Sequence, residues 1–279
     1  MKPLVIYHKN CVDGGAAAAV VQRKLGQGAC DFLPMQHGEA PPVVEGREVW
    51  IVDFGLPLAQ MRAIRAQANA VHWYDHHISQ AETRQQLGWG VLDPEECGAS
   101  LVWRELFPGQ APPPIIPYIK DKDLWQWRLP RSRAVALALD ARFRWKWAGI
   151  LDADPLVLAE AGEPLLAEQR ARVEAAAKAG IPWDDAFGVP GLRALVVHGR
   201  RDQNELGEHI CLPAAEGGLG YDVAVIAYRK KESGQWVHSL RAARVDCAAL
   251  AARHGGGGHP GSACFITPAP VIPLPVAEH

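Results

Sequence analysis

The sequence predicts an α/β protein: a parallel-sheet domain, a helical connector and a smaller α/β domain. Three observations carry this. Short apolar runs alternate with helical stretches over the first 131 residues, and three of the runs end in acidic or imidazole groups. An Ala/Glu/Arg-rich segment with helical spacing follows. Strands and helices then alternate again from residue 191, ahead of a run of four glycines. The expected boundaries are 1–131 for the sheet domain, 132–190 for the connector, 191–270 for the second domain and 271–279 for a loose Pro-rich tail.

The first run, Pro3-Leu4-Val5-Ile6-Tyr7, is short, continuous and apolar. That is the pattern of a strand buried on both faces. A polar turn from His8 to Gly15 precedes a small-residue helix, Ala16 to Leu25. Polar groups at the carboxyl end of a strand, ahead of a helix, are where open α/β sheets bind ligands. Gly14 and Gly15 match neither a Walker loop nor a dinucleotide fingerprint. Cys30 to Leu33 is a weak second strand. Arg47 to Val52 is a clear third one and ends in Asp53. Pro57 suits the first turn of a helix through Ala68. Ala70 to Tyr74 is the fourth strand and ends in Asp75-His76-His77. Successive strands thus deliver His8 and Asp13, then Asp53, then Asp75, His76 and His77 to one sheet edge. Scattered surface polarity does not recur in this way.

After Gly90 to Asp93 comes a helix from about Gly98 to Phe107, and then a loop with five prolines, Pro108 to Pro117. Ile119 to Trp127 sets Asp121 and Asp123 beside Trp125 and Trp127. A helix with a solvated charged face explains this stretch as readily as a site does. The two Trp could stack a base, but packing is the plainer account in a chain with 10 Trp. Residues 132–188 read as helical throughout, with one long helix over Leu156 to Ala179. In the second domain, Leu192 to His198 is a strand, and Asn204 to Cys211 a helix with Asn204 as its cap. Asp222 to Tyr228 and Trp236 to Leu240 form a meander. Asp246 caps a helix to Arg253, and Ala263 to Ile266 is the last strand.

Composition narrows the function classes. With 48% hydrophobic and 22% charged residues the chain reads as an ordinary globular protein. A net charge of −2 offers no global basic field for extended duplex DNA. No apolar run approaches the roughly 20 residues of a membrane span. Met1-Lys2-Pro3 leads straight into a strand without a signal-peptide pattern, so the cytosol is the expected location. The six Cys are scattered and form no C-x-x-C pair, which argues against a zinc ribbon or a disulfide framework. Cys11 stands apart because of its neighbours.

The ordered set His8, Asp13-Gly14, Asp53, Asp75-His76-His77, Asp123 and Gly255-Gly256-Gly257-Gly258-His259 resembles the DHH phosphoesterase superfamily. The last element is similar to the glycine-rich signature of its C-terminal DHHA1 domain. Asn204 to Glu208 and His238 to Ala242 are similar to stretches that precede that signature. The resemblance runs from residue 4 to about 267. It implies a two-manganese centre, with Mg²⁺ as the other hard cation such donors suit. Carried over by position, Asp53 would bridge both ions, Asp13, His76 and Asp123 would complete one, and His8 would ligate the other. Asp75 would orient an imidazole, and His77 would contact the phosphate and help protonate the leaving group. The implied chemistry is attack of a metal-activated hydroxide on phosphorus.

Two departures matter. The family's first motif carries an aspartate where this chain has Cys11, and His8 lies one residue further from Asp13 than superposition gives. Cys11 as a ligand, Asn10 or water in its place, and a one-metal site all stay open. Asp121 rivals Asp123 as the fourth carboxylate. In the DHHA1-like part, Gly256, Gly257 and Gly258 would admit a phosphate or base to the backbone. Arg241 and His259 would hold a substrate phosphate, with Ser239 and Asn204 as further candidates and Arg200 and Arg201 adding positive potential. The resemblance implies short oligonucleotides or small phosphorylated nucleotides, bound across a cleft between the two domains. An exopolyphosphatase is the rival enzyme, and a degenerate, non-catalytic nucleotide-binding protein the rival of another class. A homodimer is compatible with a sequence that does not fix oligomeric state.

Overall fold

The structure, a computed structural model, describes residues 1–274. It divides into two compact units, Met1–Leu166 and Ala167–His279. The division falls inside a long helix, α7 (Pro155–Lys178), within the stretch 132–190 expected as the connector.

The first unit holds five parallel strands in the order β2-β1-β3-β4-β5. They are β1 (Leu4–His8), β2 (Asp31–Met35), β3 (Glu48–Val52), β4 (Ala70–Asp75) and β5 (Val91–Leu92). Both faces are covered. Leu4 and Ile6 of β1 enter one apolar cluster with Ile51, Met61 and Ile64, while Val5 enters the other with Val52, Val20 and Val102. That alternation is what a period of two produces when neither face meets water. Helix α1 (Val12–Leu25) buries ten consecutive residues, Val12 to Val21, because glycine and alanine let its axis lie close to the sheet. The other helices are α2 (Leu58–Gln67), α3 (Ala81–Leu87), α4 (Gly98–Leu106), α5 (Ile115–Asp123) and α6 (Ser132–Phe143). The strand order reverses direction between β1 and β3, and open α/β sheets place ligand sites at such a switch point.

The second unit is a six-stranded mixed sheet in the order β10-β11-β9-β8-β7-β6. Its strands are β6 (Ile181–Trp183), β7 (Ala194–His198), β8 (Val223–Arg229), β9 (Trp236–Arg241), β10 (Gly257–His259) and β11 (Ser262–Thr267). Among the described residues of this unit only β7 and β8 pair in parallel. Helices α8 (Gln203–Cys211) and α9 (Cys247–Ala252) complete it. Asp246 caps α9 as expected, accepting the Ala249 N–H at 3.0 Å.

Several expectations need correction. Helix α1 starts at Val12 rather than Ala16, so Asp13, Gly14 and Gly15 form its first turn. The proline loop stops at Pro114, because Pro117 falls in the first turn of α5, where no intrahelical N–H is needed. The stretch 132–188 is not helical throughout: Ile181–Trp183 pairs with β7 as a strand. Asn204 is not a cap, since α8 begins at Gln203. Part of the glycine run is an edge strand rather than a loop. In the tail expected over 271–279, Ile272 is buried in the second core, and 275–279 lie outside the described residues. No helix among the described residues is long and apolar enough to cross a membrane.

Candidate metal centre

The carboxyl ends of β1, β3 and β4, with the start of α1 and the end of α5, bring seven titratable side chains together. Three overlapping sets have ligand atoms within 4.8 Å of one another: His8, Cys11 and Asp53; Asp53, His76 and His77; Asp13, His76 and Asp123. Asp53 belongs to two sets and His76 to two. His76 Nε2 lies 3.1 Å from Asp53 Oδ1, 3.4 Å from Asp123 Oδ2 and 3.9 Å from Asp13 Oδ2. On the other side of Asp53, His8 Nδ1 lies 3.8 Å from Oδ2.

Asp53 is the centre of this arrangement. It is only 1% exposed, its backbone is left-handed at φ 51°, and its Oδ2 has no hydrogen-bond donor. Asp tolerates that conformation better than most residues. Burial, then the charges of Asp13 and Asp123, push its carboxyl well above the usual range. Asp123 is raised to about 6, first by burial and then by Asp13. A buried cluster of carboxylates with an unfilled acceptor is unfavourable on its own. A divalent cation would relieve this, and the donor set of carboxylates and imidazoles fits a hard or borderline ion. Burial lowers the pKa of His8, helped by His77 and His37, which keeps its imidazole neutral and fit to be a ligand.

Each side chain is positioned by an identifiable contact. The Asp13 carboxylate accepts the N–H groups of Gly98 and Ala99 at the start of α4. This joins two elements far apart in sequence and places the carboxylate at a positive helix terminus. It requires glycine at 98, because a β-carbon there would lie 2.5 Å from Asp53 Cβ. Gly14 is constrained likewise, with a β-carbon 2.6 Å from the His8 carbonyl oxygen. Asp75, fully buried, accepts from the His76 and His77 amides at 2.8 and 3.2 Å. Its Oδ1 also lies 2.7 Å from His77 Nδ1, which fixes that ring and leaves Nε2 for other work. The imidazole it orients is therefore that of His77.

Geometry separates Asp121 from Asp123. Asp121 is 3% exposed, and its carboxylate accepts the N–H groups of Arg128 and Leu129 at 2.8 and 3.2 Å. It organises the loop after α5, while Asp123 joins the cluster. Cys11 also joins the cluster, and its thiol is pushed well above its usual pKa by burial and by Asp53. Two neighbours escaped the sequence reading. Gly98 looked only like a helix start, and nothing in its local sequence points to Asp13. His37 is exposed, with its ring 5.0 Å from Phe54 and 5.8 Å from His8; no periodicity marks a loop residue of this kind.

The second-unit candidates are partly assembled. Arg241 Nε donates to Asn204 Oδ1 at 2.8 Å, and Ser239 Oγ donates to Gln203 Oε1 at 2.8 Å. Gln203, overlooked in the sequence, joins the two, because Arg241 Nη2 also reaches its Oε1 at 3.4 Å. His259 pairs with Ser262, which pairs with Arg241, so the imidazole and the guanidinium share one cross-strand row. Gly257, Gly258 and His259 are exposed. Gly256 is packed instead, since a β-carbon there would meet the Cys264 carbonyl oxygen at 2.2 Å. Arg200 and Arg201 are exposed just before α8.

No family model matches the sequence. An uncharacterised protein of Acanthamoeba polyphaga mimivirus is 23% identical over 148 residues, 46% of this chain and 35% of that protein. The match thus takes in about a third of the curated relative's length. Among solved structures, a DHH domain from a ribosomal-protein family is 15% identical, with a TM-score of 0.59 over 95% of this chain and 82% of the other. A pGpG-specific phosphodiesterase from Vibrio cholerae is 13% identical, with a TM-score of 0.54 over 95% and 93%. An exopolyphosphatase-related protein from Bacteroides fragilis is 13% identical, with a TM-score of 0.52 over 95% and 86%. The chain therefore has the fold of DHH-domain proteins.

Proposed function

We propose that this DHH-fold chain is a metal-dependent phosphoesterase acting on short oligonucleotides or small phosphorylated nucleotides. The observation that carries the reading is Asp53, a buried carboxylate with an unfilled oxygen, shared between two potential ligand sets. His8, Asp13, Asp53, His76 and Asp123 would hold divalent ions, with Mn²⁺ favoured over Mg²⁺ by the imidazoles. Such ions supply an acidified water and neutralise phosphate oxygens. His77, its Nδ1 held by Asp75, presents Nε2 to a phosphate oxygen and can deliver a proton to the leaving group. Asp75 remains the hydrogen-bond acceptor that fixes this tautomer. In the second unit, Arg241 with His259 suits a substrate phosphate, and the exposed backbone of Gly257 and Gly258 leaves room for it. The solved phosphodiesterase and the exopolyphosphatase-related protein of the same fold support phosphate chemistry in general.

The test is metal analysis of the purified chain, followed by turnover with Mn²⁺ or Mg²⁺. The panel is pAp, a dinucleotide, a cyclic dinucleotide, a 5-mer RNA and polyphosphate. The proposal expects metal-dependent hydrolysis of at least one nucleotide substrate, lost in Asp53→Asn. Hydrolysis of polyphosphate alone would reassign the substrate. Failure to bind either ion, with no hydrolysis of any member, would overturn the enzyme reading and leave nucleotide binding.

A further inference from the structure

The segment directly after Asp123 is the most strained in the first unit. Trp125, Trp127 and Arg131 each have φ of 55°, in the left-handed region that bulky side chains avoid. Buried Asp121 imposes this conformation. Its carboxylate accepts from Arg128 and Leu129, and its carbonyl accepts from the Gln126 N–H at 2.8 Å. The result is a pair of indoles at 4.9 Å between centroids and 76° between planes, with the Arg133 guanidinium 4.5 Å from the Trp127 ring and 6.0 Å from that of Trp125. Packing does not account for the arrangement. Trp125 remains 38% exposed, and the Trp127 indole N–H is buried without an acceptor. Strain held in place by a buried carboxylate, beside a cluster of candidate ligands, is a common mark of a functional surface.

We propose that Trp125, backed by Trp127 and Arg133, forms a nucleobase-stacking subsite next to the metal centre. The proposal rests on the phosphoesterase reading and adds to it that the first unit itself recognises a base. An indole face takes any purine or pyrimidine by stacking, and the neighbouring guanidinium braces the indole pair from the side. A bare polyphosphate has no group that uses this surface. The substrate class that fits is therefore one with a base adjacent to the cleaved phosphate.

The test measures binding as well as turnover. Calorimetry of the full chain in Mn²⁺ compares adenosine 5′-monophosphate with inorganic phosphate. Wild-type protein is expected to bind the nucleotide about 10-fold more tightly or better. Trp125→Ala should collapse most of that gap, while Trp125→Phe, which keeps an aromatic face, should retain most of it. The ratio of kcat/KM for a dinucleotide to that for tripolyphosphate should fall by about 10-fold in Trp125→Ala, through KM. Fluorescence of a 2-aminopurine nucleotide, which stacking quenches, provides a measurement on wild-type protein alone. No preference for nucleotide over phosphate in wild type, an undiminished preference in a folded Trp125→Ala, or unquenched 2-aminopurine would each overturn the subsite. Absence of hydrolysis together with quenching would sink the phosphoesterase reading and leave the subsite standing.

Discussion

Replacing Asp53 with asparagine should stabilise the ion-free protein. The carboxyl is buried, one oxygen has no donor, and Asp13 and Asp123 lie close by. Its folded pKa is raised above the ordinary 3.8. For an acid with a raised pKa, the folded form holds its proton more tightly than the unfolded form. Its contribution to stability is thus fully present below about pH 3.8 and is lost as pH rises through the higher folded value. At pH 7 the native state carries this penalty. Asp123 gives the scale: a carboxyl moved from 3.8 to about 6 corresponds to about 3 kcal/mol. Its side chain is 24% exposed, so solvent screening reduces this to about 1–2 kcal/mol, the larger part of it from burial rather than from any one neighbouring charge. For a unit of this size that is a rise of roughly 2–8 °C in Tm. Asparagine also tolerates the left-handed backbone at this position. The assay is thermal unfolding at pH 4 to 8, in chelator and in excess Mn²⁺. In chelator the variant should melt higher at pH 7–8, with the advantage shrinking toward pH 4. In Mn²⁺ the wild type should gain stability and the variant should not. An Asp53→Asn protein that melts below wild type in chelator at pH 8, or that keeps the full Mn²⁺ shift, refutes the reasoning.

Three further outcomes follow from the same geometry. Gly98→Ala puts a β-carbon 2.9 Å from Asp13 Oδ2; loss of the two amide bonds to that carboxylate should cost about 2–4 kcal/mol and weaken Mn²⁺ binding at least about 10-fold, and a chemical denaturation curve matching wild type would contradict this. Cys11→Asp replaces a soft thiol with a hard carboxylate and should raise Mn²⁺ affinity relative to Zn²⁺ in competition calorimetry; a fall in that ratio would show that the thiol contributes little to the choice of ion. In the second unit, His238 is fully buried, with Nε2 2.9 Å from Thr267 Oγ1 and a pKa driven down to about 4 by burial, then by His254 and His198. Because the folded imidazole resists protonation, stability should be full above pH 6.5 and decline toward pH 4. Protection factors of the β9 amides, corrected for intrinsic exchange, should fall over that window and do so less in His238→Phe, and protection unchanged with pH would rule the histidine out.

The sheet of the first unit was legible because its strands are buried on both faces. Continuous apolar runs such as Leu4 to Ile6 and Val49 to Val52 have few alternatives once polar residues bound them. The same rule exposed His8, Asp53 and Asp75, since each closes a strand. Legibility failed where a long-range contact overrides local propensity. Val12 to Gly15 looked like a turn because two glycines are poor helix residues; burial against the sheet and close approach to His8 and Trp147 make them helical. The strand Ile181–Trp183 was hidden by its proline, which an edge strand tolerates because its N–H need not pair. Asp121 and Asp123 are two residues apart and alike in type. Only the fold separates the one that ties down a loop from the one that joins the cluster. Gln203 could not be chosen from its neighbours, because its partners lie on β9, 36 and 38 residues away.

Cys11 is the position where sequence and structure bear on each other most directly. A carboxylate there would add one more negative charge to a pocket that already holds Asp13, Asp53 and Asp123. In the ion-free state that charge would meet the Gly14 N–H but also the repulsion of Asp53 and Asp13, and buried like charges are costly. A protonated thiol fills the same space at the start of α1 without that cost. Against this, it gives the set with His8 and Asp53 one negative charge fewer than a carboxylate would, and a softer donor. The set with Asp13, His76 and Asp123 keeps two carboxylates. The two sides of Asp53 are therefore chemically unequal: the Asp123 side would suit a hard cation, and the Cys11 side weaker or softer coordination. Asp53 lies between them, in one set with His8 and Cys11 and in another with His76 and His77, and His76 joins the latter to Asp13 and Asp123. Burial, the larger cause of the raised Cys11 pKa, would remain with an ion on the Asp123 side, so the inequality between the two sides would persist.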